Sequence, residues 1–306
     1  MQAILSTLQT WQMGAYAAVL TAMLLWESLH PFFDLFRGSS KARGVHFFRN
    51  MLLGAVNSLL IAAVFVGLWL ATAEWAEAHR FGLMNRLGAA LGLPAWAHAF
   101  GVILLFDAWT YTWHRINHRI PFLWRFHRVH HADAQMDVTT AGRFHVGEIL
   151  LSSALRIPLI ALFGAYVWEL VLYETMMFAV VQFHHANIAL PERLDRALRA
   201  VIVTPAMHKV HHSRLQPETD SNYGAFLSVW DRLGRSFRLR KNPAEIRFGL
   251  DAFDDPEHET VKGLMKMPLL DVAREPGDEV PPQKPPHGPE TPSRPRRFTG
   301  THRNDA

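Results

Sequence analysis

The sequence predicts an all-α integral membrane protein with about four transmembrane helices and a cytoplasmic helical cap that carries histidine boxes. Three observations point there. Apolar stretches near the length of a bilayer crossing recur along the chain. The loops that join them concentrate arginine and lysine, as cytoplasmic loops do. Histidines spaced three and four apart follow directly on an apolar helix. The chain has 306 residues, 49% of them hydrophobic, and a mean hydropathy of +0.02. That unremarkable average hides polarity gathered in the loops and the C-terminal part. Cysteine is absent, which excludes disulfides, a thiolate nucleophile and cysteine-held iron–sulfur or zinc sites. Electrons for any redox step must then come from another protein. The net charge of +4 is modest, and the arginines flank apolar spans instead of forming a nucleic-acid-binding stripe.

Residues 1–10 carry no charge, unlike the basic start of a secretory signal. Residues 12–33 are mostly apolar, with Glu27 near their end, and Arg37, Lys41, Arg43 and Arg49 make a basic loop behind them. Residues 51–73 hold only Asn57, Ser58 and Thr72 as clearly polar members, and they match a bilayer crossing of about 20 residues. Trp69 and Trp75 mark its end as interfacial aromatics. Residues 74–95 mix Glu74, Glu77, Arg80 and Arg86 with apolar residues at helical spacing, which suits an interfacial helix ending near Gly92 and Pro94. A third apolar stretch, 96–113, leads into the first histidines. Residues 147–166 and 167–183 read as two further apolar helices that turn near Gly164; Arg156 and Pro158 leave the first of them spanning, tilted or re-entrant. An outside N-terminus with four crossings places the basic loops and the histidines on the cytoplasmic side. The domains are therefore 1–95, membrane helices and interfacial helix; 96–240, a metal-binding catalytic domain with a membrane hairpin; 241–273, an amphipathic surface segment with a short helix over 256–268; and 274–306. The last has eight prolines in 33 residues and is expected to be disordered. His258, His287 and His302, beyond residue 240, carry no role.

Eleven of the 18 histidines lie between positions 114 and 212. His114 and His118 stand four apart, and His127, His130, His131 and His208, His211, His212 repeat one His-x-x-His-His pattern. Side chains three and four apart share a helix face, so each group aims imidazoles at one point. Pro121 suits the first turn of one such helix, and Thr204-Pro205 suits the start of another. Eight or more imidazoles exceed the four to six ligands of about one ion, so two metal ions are implied. No Glu or Asp lies inside a box, which sets the pattern apart from the Glu-x-x-His bundles. His184 and His185 point about 100° apart on a helix; His185, before Ala-Asn, is the ninth candidate ligand. His145 stands between two readings, a ligand or a helix-start histidine satisfied by Glu148. His30, His46, His79 and His98 match no box. Asp107, Tyr111 and His114 share one helix face, so Asp107 is the expected acceptor for the second N–H of a metal-bound His114, with Tyr111 beside it.

With its surrounding runs this pattern resembles the fatty acid hydroxylase/sterol desaturase superfamily, and among it the bacterial sterol desaturase family. The runs are Asp107-Ala-Trp-Thr-Tyr-Thr-Trp-His114-Arg, Leu123-Trp-Arg-Phe-His127-Arg-Val-His-His131, Met136-Asp-Val-Thr-Thr-Ala, His185-Ala-Asn, Thr204-Pro-Ala-Met-His208-Lys-Val-His-His212, Thr219-Asp-Ser-Asn-Tyr-Gly224 and Trp230-Asp-Arg. The resemblance covers about residues 100–240. It implies an O2-dependent non-haem di-iron oxidoreductase that hydroxylates or desaturates a lipid drawn from the bilayer. It further implies a bacterial inner-membrane location and an external electron donor of ferredoxin or cytochrome b5 type. By carry-over, His114, His118, His127, His130, His131, His208, His211 and His212 are the iron ligands. Val146 departs from the proline that relatives commonly carry after the Arg-x-His run. Two other classes fit histidine boxes: a membrane metallo-hydrolase or lyase, separable by its indifference to O2 and electrons, and a metal-ion transporter, whose ligands should line a path inside the spans.

Overall fold

The computed structural model describes residues 2–272, with side chains from Thr10 onward. The Pro-rich stretch 274–306 lies outside the described residues. Among them regular structure is helical, with one isolated bridge between Ile202 and Leu227. In order the α-helices are α1 (Gln2–Leu29), α2 (Ser40–Ile61), α3 (Gly67–Ala78), α4 (Leu83–Leu91), α5 (Ala95–Arg119), α6 (Pro121–His131), α7 (Val146–Phe163), α8 (Val167–His185), α9 (Glu192–Leu198), α10 (Pro205–His211), α11 (Gln216–Thr219), α12 (Val229–Leu233) and α13 (Val261–Lys266).

Ser39 caps α2 by accepting from Ala42 N–H at 3.2 Å, and a π turn at Ala62–Val66 carries that helix into α3 without a break. Two helical stretches, Ser40–Leu91 and Val146–Phe163, contain windows long and apolar enough to cross a membrane. Only 17% and 22% of those windows is buried, so neither is the core helix of a soluble fold. Leu52, Val56, Leu59, Val64 and Leu68 on one, and Leu151, Leu155 and Leu162 on the other, face outward, where hydrocarbon is the solvent that suits them. Helices α1, α5 and α8 do not meet the same criterion. Their polar side chains pair within the bundle: His98 with Glu169 at 2.7 Å, and Thr110 with Tyr173 at 2.7 Å.

Helix α8 is the central post. It packs on α1, α5 and α10, while α7 lies along α3. Away from the histidines, Ala73, Met84, Val102, Ile103, Phe106, Ile160 and Tyr173 close one apolar core. The expected interfacial helix is split: α3 runs on to Ala78, and α4 begins after Gly82 and ends at a left-handed Gly92. The hairpin turn falls at Gly164, as its φ of +74° allows. The segment expected on the surface is instead docked. Leu264 and Met267 are fully buried against Leu53, Val129 and Ala132, and Arg128 of α6 donates to the carbonyls of Met267 (2.5 Å) and Leu270 (2.7 Å). A strap from the C-terminal region thus clamps the helix that bears the second box.

Gly82 has φ +100°, and a Cβ there would stand 2.4 Å from Ala161 O and Gly164 N. With ψ at 164° this is a region essentially confined to glycine, so Gly82→Ala should cost about 1–3 kcal/mol in backbone strain alone, with the clash added. A clear drop in the melting temperature of the detergent-solubilised protein checks this.

Candidate metal centre

Helix α5 ends in His114 and His118, and α6, opened by Pro121, carries His127, His130 and His131 on its inner face. Helix α8 ends at His185, and Pro205 opens α10, which presents His208, His211 and its capping His212. Thr204 stands at the N-cap of α10, but its hydroxyl makes no cap bond. The nine histidines gather in two groups. His114, His118, His127, His131 and His211 form one, and His130, His185, His208 and His212 the other; within each, the candidate ligand atoms lie within 4.8 Å of one another.

The hydrogen bonds of the rings show what the groups can hold. A neutral imidazole carries one N–H and one lone pair. His114 Nδ1 donates to Tyr223 O at 2.8 Å, His211 Nδ1 to Ser221 O at 2.7 Å, and His127 Nδ1 to the Glu148 carboxylate at 2.9 Å. All three acceptors lack a hydrogen to give, so all three Nε2 atoms carry lone pairs. Yet His114 Nε2 lies 3.0 Å from the Nε2 of both His127 and His211. In the other group His185 Nδ1 donates to Val181 O at 2.9 Å, and its bare Nε2 faces His130 Nε2 at 3.2 Å and His208 Nε2 at 3.0 Å. Lone pairs so close repel unless a cation sits among them. Two ligands bonded to one ion at about 2.1 Å stand about 3.0 Å apart at a right angle. Both ring nitrogens of the buried His131 and His212 also make no hydrogen bond, as vacant ligands would. The donor set fits two transition-metal ions, one per group.

Burial drives His114, His130, His131, His208, His211 and His212 well below the usual histidine range, with neighbouring imidazoles adding to the effect. Burial likewise takes His185 down to about 4. The rings are thus neutral ligands at physiological pH. Beside them, burial opposes the charge of Asp133, yet His46 and Arg143 hold it ionised well below the carboxylate range. Asp133 accepts from His46 Nε2 (2.9 Å) and Thr140 Oγ1 (2.8 Å), which ties the loop after box two to α2. His46, which matches no box, therefore supports one from outside.

Two sequence assignments are corrected. Asp107 does not reach His114; its Oδ2 accepts from Leu227 N–H at 3.0 Å and Trp230 Nε1–H at 2.7 Å. The fold places the 226–230 segment against that face of α5, and Tyr223 O takes the place foreseen for Asp107. Tyr111 bonds to Ser236 Oγ (2.9 Å) and accepts from Arg115 Nη1 (2.9 Å), so it too fastens the segment that follows α12. A carboxylate that does orient a box histidine is Glu148, in the first turn of α7, and Asp220 Oδ1 lies 3.4 Å from His118 Nδ1. Glu148 serves His127, not His145, whose ring caps α7 by accepting from Gly147 N–H at 2.9 Å. A glutamate at the start of an apolar helix was the available signal. His184 stays outside both groups, its ring 3.9 Å from that of His208.

Three outcomes follow. Glu148→Gln should lower metal affinity about 10- to 100-fold with little change in melting. Asp107→Ala leaves two part-buried donors unpaired and should cost about 1–3 kcal/mol in all, read as a lower melting temperature with metal content kept. In metal-free protein the folded imidazoles sit below the ordinary histidine value of about 6.5, so the unfolded chain binds more protons below that pH. Stability should be full above about pH 6.5 and fall as pH drops towards the folded values, a trend that melting curves from about pH 7.5 to 5.5 would show.

The fatty acid hydroxylase family profile matches residues 99–236, which include all nine histidines. The chain is 31% identical over 159 residues to ornithine lipid hydroxylase of Rhizobium tropici, a match covering 51% of this chain and 47% of the relative. Human alkylglycerol monooxygenase is 28% identical, with 51% of this chain and 33% of the relative covered. Rat cholesterol 25-hydroxylase is 22% identical, with 54% and 55% covered. The chain thus spans about half or less of the length of these relatives. No solved structure matches. Residues 99–236 thus match a fatty acid hydroxylase domain, and the relatives that share this stretch are lipid hydroxylases and monooxygenases.

Proposed function

We propose that the chain is a membrane-bound, O2-dependent oxidoreductase that hydroxylates a C–H bond of a membrane lipid. Two iron ions would be held by the two histidine groups, and electrons would come from an external carrier of ferredoxin or cytochrome b5 type. The confrontation of Nε2 lone pairs at 3.0–3.2 Å is the observation that carries this reading, since it calls for cations at both groups. Hydroxylation is favoured over desaturation because the relatives named above are hydroxylases and monooxygenases. Bound iron supplies the activation of O2 and the oxidation of an unactivated C–H bond.

The chain's own part is positioning and exclusion. Tyr223 O, Ser221 O, Val181 O and Glu148 each fix one imidazole in the tautomer that leaves Nε2 free. Eight of the nine rings are buried and only His114 is half-buried, so the first group is the approachable one. One turn towards the apolar part of α5, Thr110 bonds to Tyr173 of the buried core. The partly exposed His114 supports a lipid that reaches the first group along α5.

We further infer that all boxes face the cytoplasm, in keeping with the basic loops. His131 and His212 stack with centroids 4.5 Å apart, which requires an even number of crossings between boxes two and three. With α1, α2–α3 and α5 as spans, the total is three or five instead of four.

His118→Ala, His130→Ala and His211→Ala should each cut iron content and O2-dependent turnover at least about 10-fold, while the exposed His79→Ala changes neither. Turnover that persists without O2 or reductant would replace the hydroxylase with a metallo-hydrolase. In vesicles, single cysteines at Arg86 and Ala244 should label from opposite sides, and labelling from one side would refute the topology.

A further inference from the structure

Residues 191–203 and 226–235 form an apron beside α5 that supplies none of the histidines of the metal centre. Helix α9 leads into 199–203, which pairs with 226–228: Val203 N–H donates to Phe226 O at 2.9 Å, and Ser228 N–H to Val201 O at 3.0 Å. Ser228 Oγ and Arg232 Nη2 both donate to Arg199 O at 2.7 Å. The apron is pinned to α5 by Asp107 through Leu227 and Trp230, and by Arg115 Nη1, which donates to Gly234 O at 2.9 Å. Asp107 stands seven residues before His114, about 10 Å further along α5 at about 1.5 Å per residue. The apron therefore hangs from the metal level towards the apolar part of the bundle.

Its exposed surface is of two kinds. Leu233 is 70% exposed and Val201 59%, with Leu194 and Val229 also exposed. On the same elements Arg193, Arg196, Arg232 and Arg235 are exposed, Arg196 being paired with Glu192 at 3.2 Å. The hydrogen bonds of Arg232 go to neutral oxygens, those of Ser228 and Arg199. Arginine interleaved with large aliphatic side chains is the composition of a surface that lies in a bilayer interface. An acidic soluble partner would match the charges but not Leu233 and Val201, nor a surface hung towards the apolar end of α5.

We propose that this apron is a binding surface for anionic phospholipid headgroups, with Leu194, Val201, Val229 and Leu233 seated among the acyl chains and Arg193 and Arg235 on phosphate. It would hold the metal centre at a set height above the bilayer. The chain lacks cysteine, so single nitroxide labels can be placed cleanly on the full-length protein. In vesicles containing phosphatidylglycerol, labels at Leu233→Cys and Val201→Cys should collide with dissolved O2 more than with a water-soluble nickel chelate. A label at Ala244→Cys should do the reverse. Arg193→Glu with Arg235→Glu should reduce the phosphatidylglycerol that copurifies with the protein about fivefold per charge, and leave phosphatidylcholine unchanged. Nickel accessibility at 233 and 201 equal to that at 244 would overturn the proposal, as would copurified lipid indifferent to both charges. Protection of those labels only on adding an acidic ferredoxin would overturn it in favour of a protein-docking surface.

Discussion

Imidazole lone pairs held against one another underlie the rest of this structure. Carbonyls of Tyr223, Ser221 and Val181, with the Glu148 carboxylate, take the Nδ1 hydrogens and so force bare Nε2 atoms to within 3.0–3.2 Å of one another. In water such rings would protonate or move apart. Here they are buried, and burial keeps them from protonating. What remains is a site complementary to cations. The fold must withstand that repulsion whenever it is empty.

The surrounding elements resist it from several sides. The C-terminal strap grips Arg128 on α6, one turn from His131. His46 and Asn50 of α2 hold Asp133 and Thr139, just beyond box two. Asp231 accepts from Tyr223 N–H at 2.7 Å and Gly224 N–H at 3.0 Å, which steadies the carbonyl that His114 uses. Asp107 secures Trp230 and Leu227 in turn. Asp107 thus braces the 223–231 segment and contacts no ligand itself. The anchoring groups come from α2, α5, α7 and the C-terminal region, so the ligand geometry depends on the whole helical assembly.

The helical class, the spacing of the boxes and the hairpin at Gly164 were legible because they follow from local periodicity and turn chemistry. Histidine identity is also visible in a sequence, so the nine residues that converge were all among the candidates. Their acceptors were less so. Tyr223 O and Ser221 O are backbone atoms, and any residue supplies one. Asp107 was misplaced because helical spacing shows which residues share a face, not which segment packs against it; Trp230 occupies that space. Glu148 was assigned to its neighbour His145 for the same reason, since its true partner lies 21 residues away. The strap was read as surface because a six-residue helix shows its buried face only once α6 is in place.

The central claim is two metal ions, each in its own histidine group. Anomalous scattering at the iron edge from crystals of the full chain, grown with iron under reducing conditions, tests it most directly. Two peaks are predicted, one bounded by His114, His118, His127, His131 and His211, the other by His130, His185, His208 and His212. A single peak, or none within either group, would contradict the account.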